Sequence, residues 1–168
     1  MSSPKRLLAL ELRASRLGFV ALESATELLD WGVRSSLEKE SAAVVSMLVD
    51  RVATLLAFYK PDLVVVRIRP YRTAVQKRRF HALVEAVRRA AVRSPAKLYT
   101  LTGAQVERYF AASGFITKHA IATHLANEFP ELTWKLPPKR KPYQNEAPAM
   151  LVFDALANGV AFLSRQLH

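Results

Sequence analysis

The sequence predicts an α/β domain built on a mixed sheet with an antiparallel edge. Three strand-like segments come first, at 6–12, 17–23 and 27–35. Their short separations favour hairpins, because a parallel crossover needs about a dozen residues or more. Helix-like and strand-like segments then alternate, an order typical of an α/β sheet. Apolar residues make up 51% of the chain, so one domain over 1–168 can bury about two-thirds of its unfolded surface.

The alternating region opens with a helix predicted over 39–59, where apolar residues recur at helical spacing until Pro61. The run 63–66 is continuous and mostly β-branched, which predicts a strand covered on both faces and parallel to the first. An arginine-rich helix is predicted over 72–93. Its inward face is expected to carry Phe80, Leu83, Val84, Val87 and Ala91.

The pattern predicts a fifth strand over 96–101 and a short helix, capped by Thr102, that ends near 110. Another helix is predicted over 117–129. The next segment, 130–144, contains four prolines and predicts a loop without regular structure.

The last helix is predicted to begin at Asn145 and to end near residue 166. Asn145 is a favourable N-cap residue. Pro148 suits the first turn, where its missing N–H is not needed.

Two carboxylates stand inside apolar segments. Glu11 interrupts the first strand, and Asp154 lies within the apolar run 150–157. Burying an unpaired carboxylate costs several kcal/mol, so each acid is expected to meet a cation, a metal ion or hydrogen-bond donors. An early and a late acid of this kind indicate a site that forms on folding.

The chain is strongly basic, with a formal net charge of +11. Between Arg67 and Arg93 there are nine Lys or Arg residues against one acid, Glu85, and a second cluster is Lys139, Arg140 and Lys141. Such charge favours polyanions through counterion release. Nucleic acid is preferred over a membrane surface, since no segment joins this charge to a bulky apolar face. The alternative is a solvated face that only aids solubility.

Composition also bounds the class of protein. With no cysteine there is no disulfide, thiolate metal site or thiol nucleophile. No run approaches the roughly 20 apolar residues of a membrane span, and the first residues show no secretory pattern. We therefore expect a cytoplasmic protein with no membrane partner.

The order of elements resembles the RNase H-like fold, and within it the RuvC-type Holliday junction resolvases. Three stretches carry the resemblance: an opening strand, acid and glycine-bearing second strand (8–11 and 16–19), a Pro-Asp lead-in to the fourth strand (60–66), and an Asp-Ala-Leu segment in the final helix (153–157). The resemblance implies a mixed five-stranded sheet, with its first three strands antiparallel and helices flanking it.

The resemblance also implies a metal-dependent nuclease site, from which this chain departs. Glu11 stands where the family has an aspartate, and Asp154 matches one of two acids on the last helix. Arg67 replaces a glutamate that ends the fourth strand, and Leu151 replaces the other helical acid. Glu146 is the candidate for a substitute acid.

We therefore predict a protein that binds nucleic acid, DNA in preference to RNA and branched DNA in particular, with a degenerate catalytic centre in which Arg67 pairs with Glu11 or Asp154. The predicted nucleic-acid contacts are Arg67, Arg69, Arg72, Lys77, Arg78, Arg79, Trp134, Lys139, Arg140 and Lys141.

Two alternatives stay open. The first is an active endonuclease in which Glu11 and Asp154 hold Mg²⁺ or Mn²⁺ with the assistance of Glu146. The second is a non-enzymatic subunit of a protein complex. The resemblance further implies a homodimer.

Overall fold

A mixed sheet lies at the centre of the computed structural model, which describes residues 5–166. Within these residues the sheet has five strands in the order β3-β2-β1-β4-β5. They are β1 (Leu7–Leu12), β2 (Arg16–Ser24), β3 (Glu27–Ser35), β4 (Leu63–Ile68) and β5 (Lys97–Thr102). The first three pair antiparallel, while β4 runs parallel to β1 and to β5. The predicted fold class is confirmed.

Helices cover both faces of the sheet. They are α1 (Ser41–Tyr59), α2 (Ala74–Val92), α3 (Gly103–Ala111), α4 (Lys118–Glu128) and α5 (Met150–Gln166). Alternate residues of β1 point to opposite faces, so Leu8 and Leu10 pack with α1 and α2, while Leu7 and Ala9 pack with α3, α4 and α5. Every residue of β1 is buried, as expected of a strand with helices on both sides.

The predicted inward face of α2 is confirmed. Leu83, Val87 and Ala91 are buried, and Phe80 and Val84 are partly buried against the same core. Thr73 caps this helix by accepting a hydrogen bond from the Gln76 N–H.

Two predictions near the end of the chain were wrong. The segment 130–144 is not wholly irregular, because Pro130–Lys135 forms a 3₁₀ helix. Pro130 favours this turn, since a proline at the first helical position gives up no needed hydrogen bond. Asn145 does not cap the last helix, which begins at Met150. The chain reaches it through turns in which the N–H groups of 150–152 bond to carbonyls three residues earlier.

Helix α1 contains a window, Ala42–Tyr59, that is long and apolar enough to cross a membrane by length and composition alone. Its mean hydropathy is 1.6, and a third of the window is buried. Six residues of the window are buried in the core between α1, α2 and the sheet: Val44, Leu48, Val52, Leu55, Leu56 and Tyr59. The core helix of a soluble protein can pass the same test. The absence of a membrane partner stays a prediction.

Gly18 brings β2 and α5 into close contact beside Glu11, its partner in the β1–β2 register. A Cβ at this position would lie 2.4 Å from the Leu151 carbonyl oxygen. We expect Gly18→Ala to lower the free energy of unfolding by about 1–3 kcal/mol, because backbone must shift to admit the methyl group. Urea denaturation measures the loss. Gly103→Ala is the control, since a Cβ there meets nothing within 4 Å.

Candidate nucleic-acid interface and its acidic centre

Glu11 lies at the carboxyl end of β1, on the sheet face covered by α5, and its side chain is fully buried. Asn158 of α5 donates a hydrogen bond from Nδ2 to Glu11 Oε2 at 2.9 Å, and the same amide nitrogen lies 3.3 Å from the Leu10 carbonyl oxygen. One oxygen of this carboxylate is therefore held by the last helix.

Two arginines of the β4 region hold the other oxygen. Parallel pairing sets Leu10 beside Val66, so the next residue of β4 falls beside Glu11. Arg67 Nη2 lies 2.6 Å from Glu11 Oε1, and Arg69 Nη1 lies 3.0 Å from the same atom. Burial opposes the charge of Arg67, but the attraction of Glu11 prevails and raises the pKa of this guanidinium.

Asp154 forms the second half of the centre, which we call the acidic centre and define as Glu11, Glu146 and Asp154. The Asp154 side chain is 7% exposed and meets Arg13 Nη2 at 2.9 Å and Lys118 Nζ at 3.0 Å. Lys118 also reaches Glu146 Oε1 at 2.7 Å. Arg13 Nη2 lies 3.6 Å from Glu146 and 3.7 Å from Glu11, so it contacts all three acids.

The protonation of Asp154 should make stability depend on pH. Burial raises its pKa from 3.8 to about 6, against the attraction of Lys118. The folded state then binds more protons than the unfolded state between about pH 4 and pH 6, so this contribution is present below pH 4 and is lost as pH rises to 6. The unfolding free energies of the wild type and of Asp154→Asn are measured over this pH range. Their difference gives the contribution of Asp154. Parallel curves would contradict the prediction.

The donor set of the acidic centre suits basic side chains better than a metal ion. Three carboxylates face four cations, Arg13, Arg67, Arg69 and Lys118. Among residues 5–166, no group of three His, Cys, Asp or Glu side chains is placed to hold a metal. The predicted neighbours Glu11, Asp154 and Glu146 do come together, but cations lie between them.

Arg67 contacts Glu11, as described above, and the other predicted nucleic-acid residues fall into three groups. Arg72 and Arg79 line a cavity of about 380 Å³ together with Arg13 and Arg69. Lys139 and Arg140 line another, of about 410 Å³, together with Lys118 and Glu146. The remaining predicted residues do not line these cavities and are exposed: Lys77, Arg78, Trp134 and Lys141.

Sequence reasoning missed three residues that contact the acidic centre: Arg13, Lys118 and Asn158. Asn158 carried a usable signal, since it lies four residues after Asp154 and shares its helix face in an otherwise apolar run. Arg13 directly follows the Glu11 strand, where a turn was expected. Lys118 gave no signal, because only the packing of α4 beside α5 brings it to the acids.

No protein-family model and no curated protein sequence matches the chain. Solved structures do. Thermus thermophilus RuvC in complex with a Holliday junction substrate aligns with 19% identity and a TM-score of 0.73, covering 96% of each chain. A second structure of RuvC from the same organism gives 21% identity and a TM-score of 0.71, again over 96% of each chain.

A yeast mitochondrial Holliday junction resolvase aligns with 16% identity and a TM-score of 0.68, over 99% of this chain and 82% of that one. The strand order and the antiparallel pairing of the first three strands agree with these neighbours. The chain therefore has the RuvC-like form of the RNase H-like fold.

Proposed function

We propose that the protein binds branched DNA and that its acidic centre no longer performs metal-dependent hydrolysis. The observation that carries the proposal is the pairing of Arg67 and Arg69 with the one Glu11 oxygen that Asn158 leaves open. The fold is that of a RuvC solved with a Holliday junction substrate, which supports DNA as the ligand.

Hydrolysis by the two-metal route needs carboxylate oxygens that converge on hard cations about 3.5–4 Å apart. Here Glu11 Oε1 and Asp154 Oδ2 already bond guanidinium and ammonium groups at 2.6–3.0 Å. A divalent ion would have to displace these groups and would then lie beside their positive charge. The cost of that arrangement favours a centre without metal.

Binding does not need the metal, because the same side chains suit phosphate. Arginine presents several N–H donors in a planar fork that fits phosphate oxygens. Arg13, Arg69 and Lys118 are 24%, 31% and 41% exposed at the side chain. Their remaining N–H groups can therefore contact a DNA backbone while Arg13 Nη2, Arg69 Nη1 and Lys118 Nζ stay bonded to the acids. Lys139 and Arg140 extend the basic surface along one side.

Gel shifts with a four-way junction and a linear duplex of equal length test the proposal. We expect the junction to be bound more tightly than the duplex, with no requirement for Mg²⁺, since binding persists in EDTA, and with no cleavage in Mg²⁺. Cleavage that needs Mg²⁺ or Mn²⁺ and is lost in both Glu11→Ala and Asp154→Ala would establish the active nuclease instead. No shift with any DNA, together with retention of an acidic protein on the immobilised chain, would favour a subunit of a protein complex.

We also propose that the DNA-bound form is a homodimer, a proposal supported by the fold resemblance. A junction has two-fold symmetry, and a symmetric pair of subunits suits such a ligand. Sedimentation of the free protein and of its junction complex measures the stoichiometry. One subunit per junction would refute the dimer.

A further inference from the structure

Two large aromatic rings project from the segment 134–144, which runs from the end of the 3₁₀ helix towards α5. Trp134 is 74% exposed and Tyr143 is 79% exposed. A lysine lies over each ring: Lys135 Nζ is 4.6 Å from the Trp134 centroid, and Lys141 Nζ is 5.9 Å from the Tyr143 centroid. We call this segment the aromatic arm. Both rings are therefore free to contact a ligand.

Charge indicates the class of ligand. The aromatic arm carries four cations and no acid; they are Lys135, Lys139, Arg140 and Lys141. An apolar protein surface would leave these charges without partners, whereas a nucleic-acid strand offers a phosphate beside every base. Proteins that bind single strands commonly combine aromatic rings with cations. The rings stack on the bases, since every base has a face that can stack, and the cations contact the phosphates.

The aromatic arm is held in shape before any ligand binds. A turn is closed by the Gln144 N–H, which donates to the Lys141 carbonyl at 3.0 Å, while the Lys141 N–H donates to Gln144 Oε1 at 3.0 Å. Arg140 Nη1 donates to the Gln144 carbonyl at 3.2 Å. Three prolines, at 137, 138 and 142, restrict the backbone further. Preorganisation of this kind lowers the entropic cost of binding.

The aromatic arm also adjoins the acidic centre. His119 Nε2 lies 3.3 Å from the Pro137 carbonyl, which anchors the arm on α4. The cavity of about 410 Å³ is lined by Lys139 and Arg140 of the arm, by Glu146 of the acidic centre and by Lys118, which contacts that centre. A strand that contacts Lys118 can therefore continue onto the arm.

We propose that Trp134 and Tyr143 stack on unpaired DNA bases while the lysines of the aromatic arm contact the adjacent phosphates. This inference rests on the proposed binding of branched DNA and specifies the feature recognised there, bases released from the stack. A fully paired duplex hides its base faces, but single strands expose them, and stacking is interrupted at a branch point. The arm thus gives the protein a preference for DNA with unpaired bases.

Tryptophan fluorescence reads out stacking directly. The chain has two tryptophans, so Trp31→Phe leaves Trp134 as the sole reporter. We expect a single-stranded oligothymidylate to quench this signal and a blunt duplex of equal length to quench it far less. Equal quenching by the two DNAs would overturn the inference.

Affinity for the oligothymidylate supplies the second measurement. Trp134→Leu should weaken it roughly 5- to 150-fold, the loss expected when one stacked base goes free. Tyr143→Leu should act similarly, whereas Tyr143→Phe keeps the ring and the affinity. The matched control is Phe58→Leu, which removes a 76% exposed ring from α1, on the other face of the sheet.

The outcomes separate this inference from the function on which it rests. If the junction is still bound and neither ring affects its affinity, the stacking role of the aromatic arm is refuted and the proposed function is left intact. An equal loss of affinity in the Phe58→Leu control leads to the same conclusion. Absence of binding to every DNA tested refutes both.

Discussion

Replacing Glu11 by glutamine is expected to lower the free energy of unfolding by about 3–5 kcal/mol, the usual loss when one partner of a buried ion pair is removed. The variant keeps the shape of the side chain but leaves Arg67, which is only 15% exposed, and Arg69 without their anion. If the centre were instead built to hold a metal, the same change would relieve repulsion between carboxylates and leave the apo protein as stable or more so.

Urea denaturation with and without Mg²⁺ distinguishes these cases. Glu23→Gln is the matched control, because it removes a carboxylate paired with an arginine, Arg6, at a site where the side chains are 24% and 36% exposed. Its loss should be about 1 kcal/mol or less. A Tm that Mg²⁺ raises in the wild type but not in Glu11→Gln would refute the metal-free centre.

Removing three charges from the start of α2 is expected to weaken junction binding on the order of a hundredfold near 0.1 M salt, since each lost phosphate contact also forgoes the release of a counterion. The variant combines Arg72→Gln, Lys77→Gln and Arg78→Gln, all at exposed residues in or just before the first turns of α2. Arg72 lines the same cavity as Arg69. The slope of log affinity against log salt should fall by about one unit for each contact removed.

Fluorescence anisotropy with a labelled junction, at four or five salt concentrations, gives both quantities. The control is Lys60→Gln, Arg89→Gln and Arg93→Gln, which removes the same net charge from a groove between α1 and α2, near the ends where β4 and β5 begin. Equal losses in the two variants would show that only net charge matters and would refute a localised interface.

The fold could be predicted because local patterns determine it. The apolar run around Glu11, the β-branched run before Arg67 and the amphipathic period of α2 each specify an element and a buried face. Their order then leaves few topologies. Errors occurred where several local preferences compete: Asn145 is a favourable cap, but the chain forms turns until Met150.

The acidic centre was predictable only in part. An acid inside an apolar segment stands out in the sequence, so Glu11 and Asp154 were found, and the resemblance to the RuvC-type resolvases implied Arg67 beside them. Arg13 and Lys118 are two basic residues among 25, and nothing in their neighbourhood in the sequence separates them from the rest. Their role depends on tertiary contacts. The catalytic, metal-binding and nucleic-acid roles assigned to all these residues stay predictions.

The wide separation in sequence between β1 and α5 has a consequence for folding during synthesis. Asn158 reaches back 147 residues to Glu11, and Asp154 reaches back 141 residues to Arg13. A ribosome must therefore synthesise every element from β2 to α5 before the first strand meets the helix that covers one of its faces. Until then Leu7 and Ala9 lack the cover of α5, and Glu11 lacks the amide of Asn158. While α5 is still being made, β1 thus lacks part of its cover, and exposed apolar surface of this kind favours chaperone binding and aggregation.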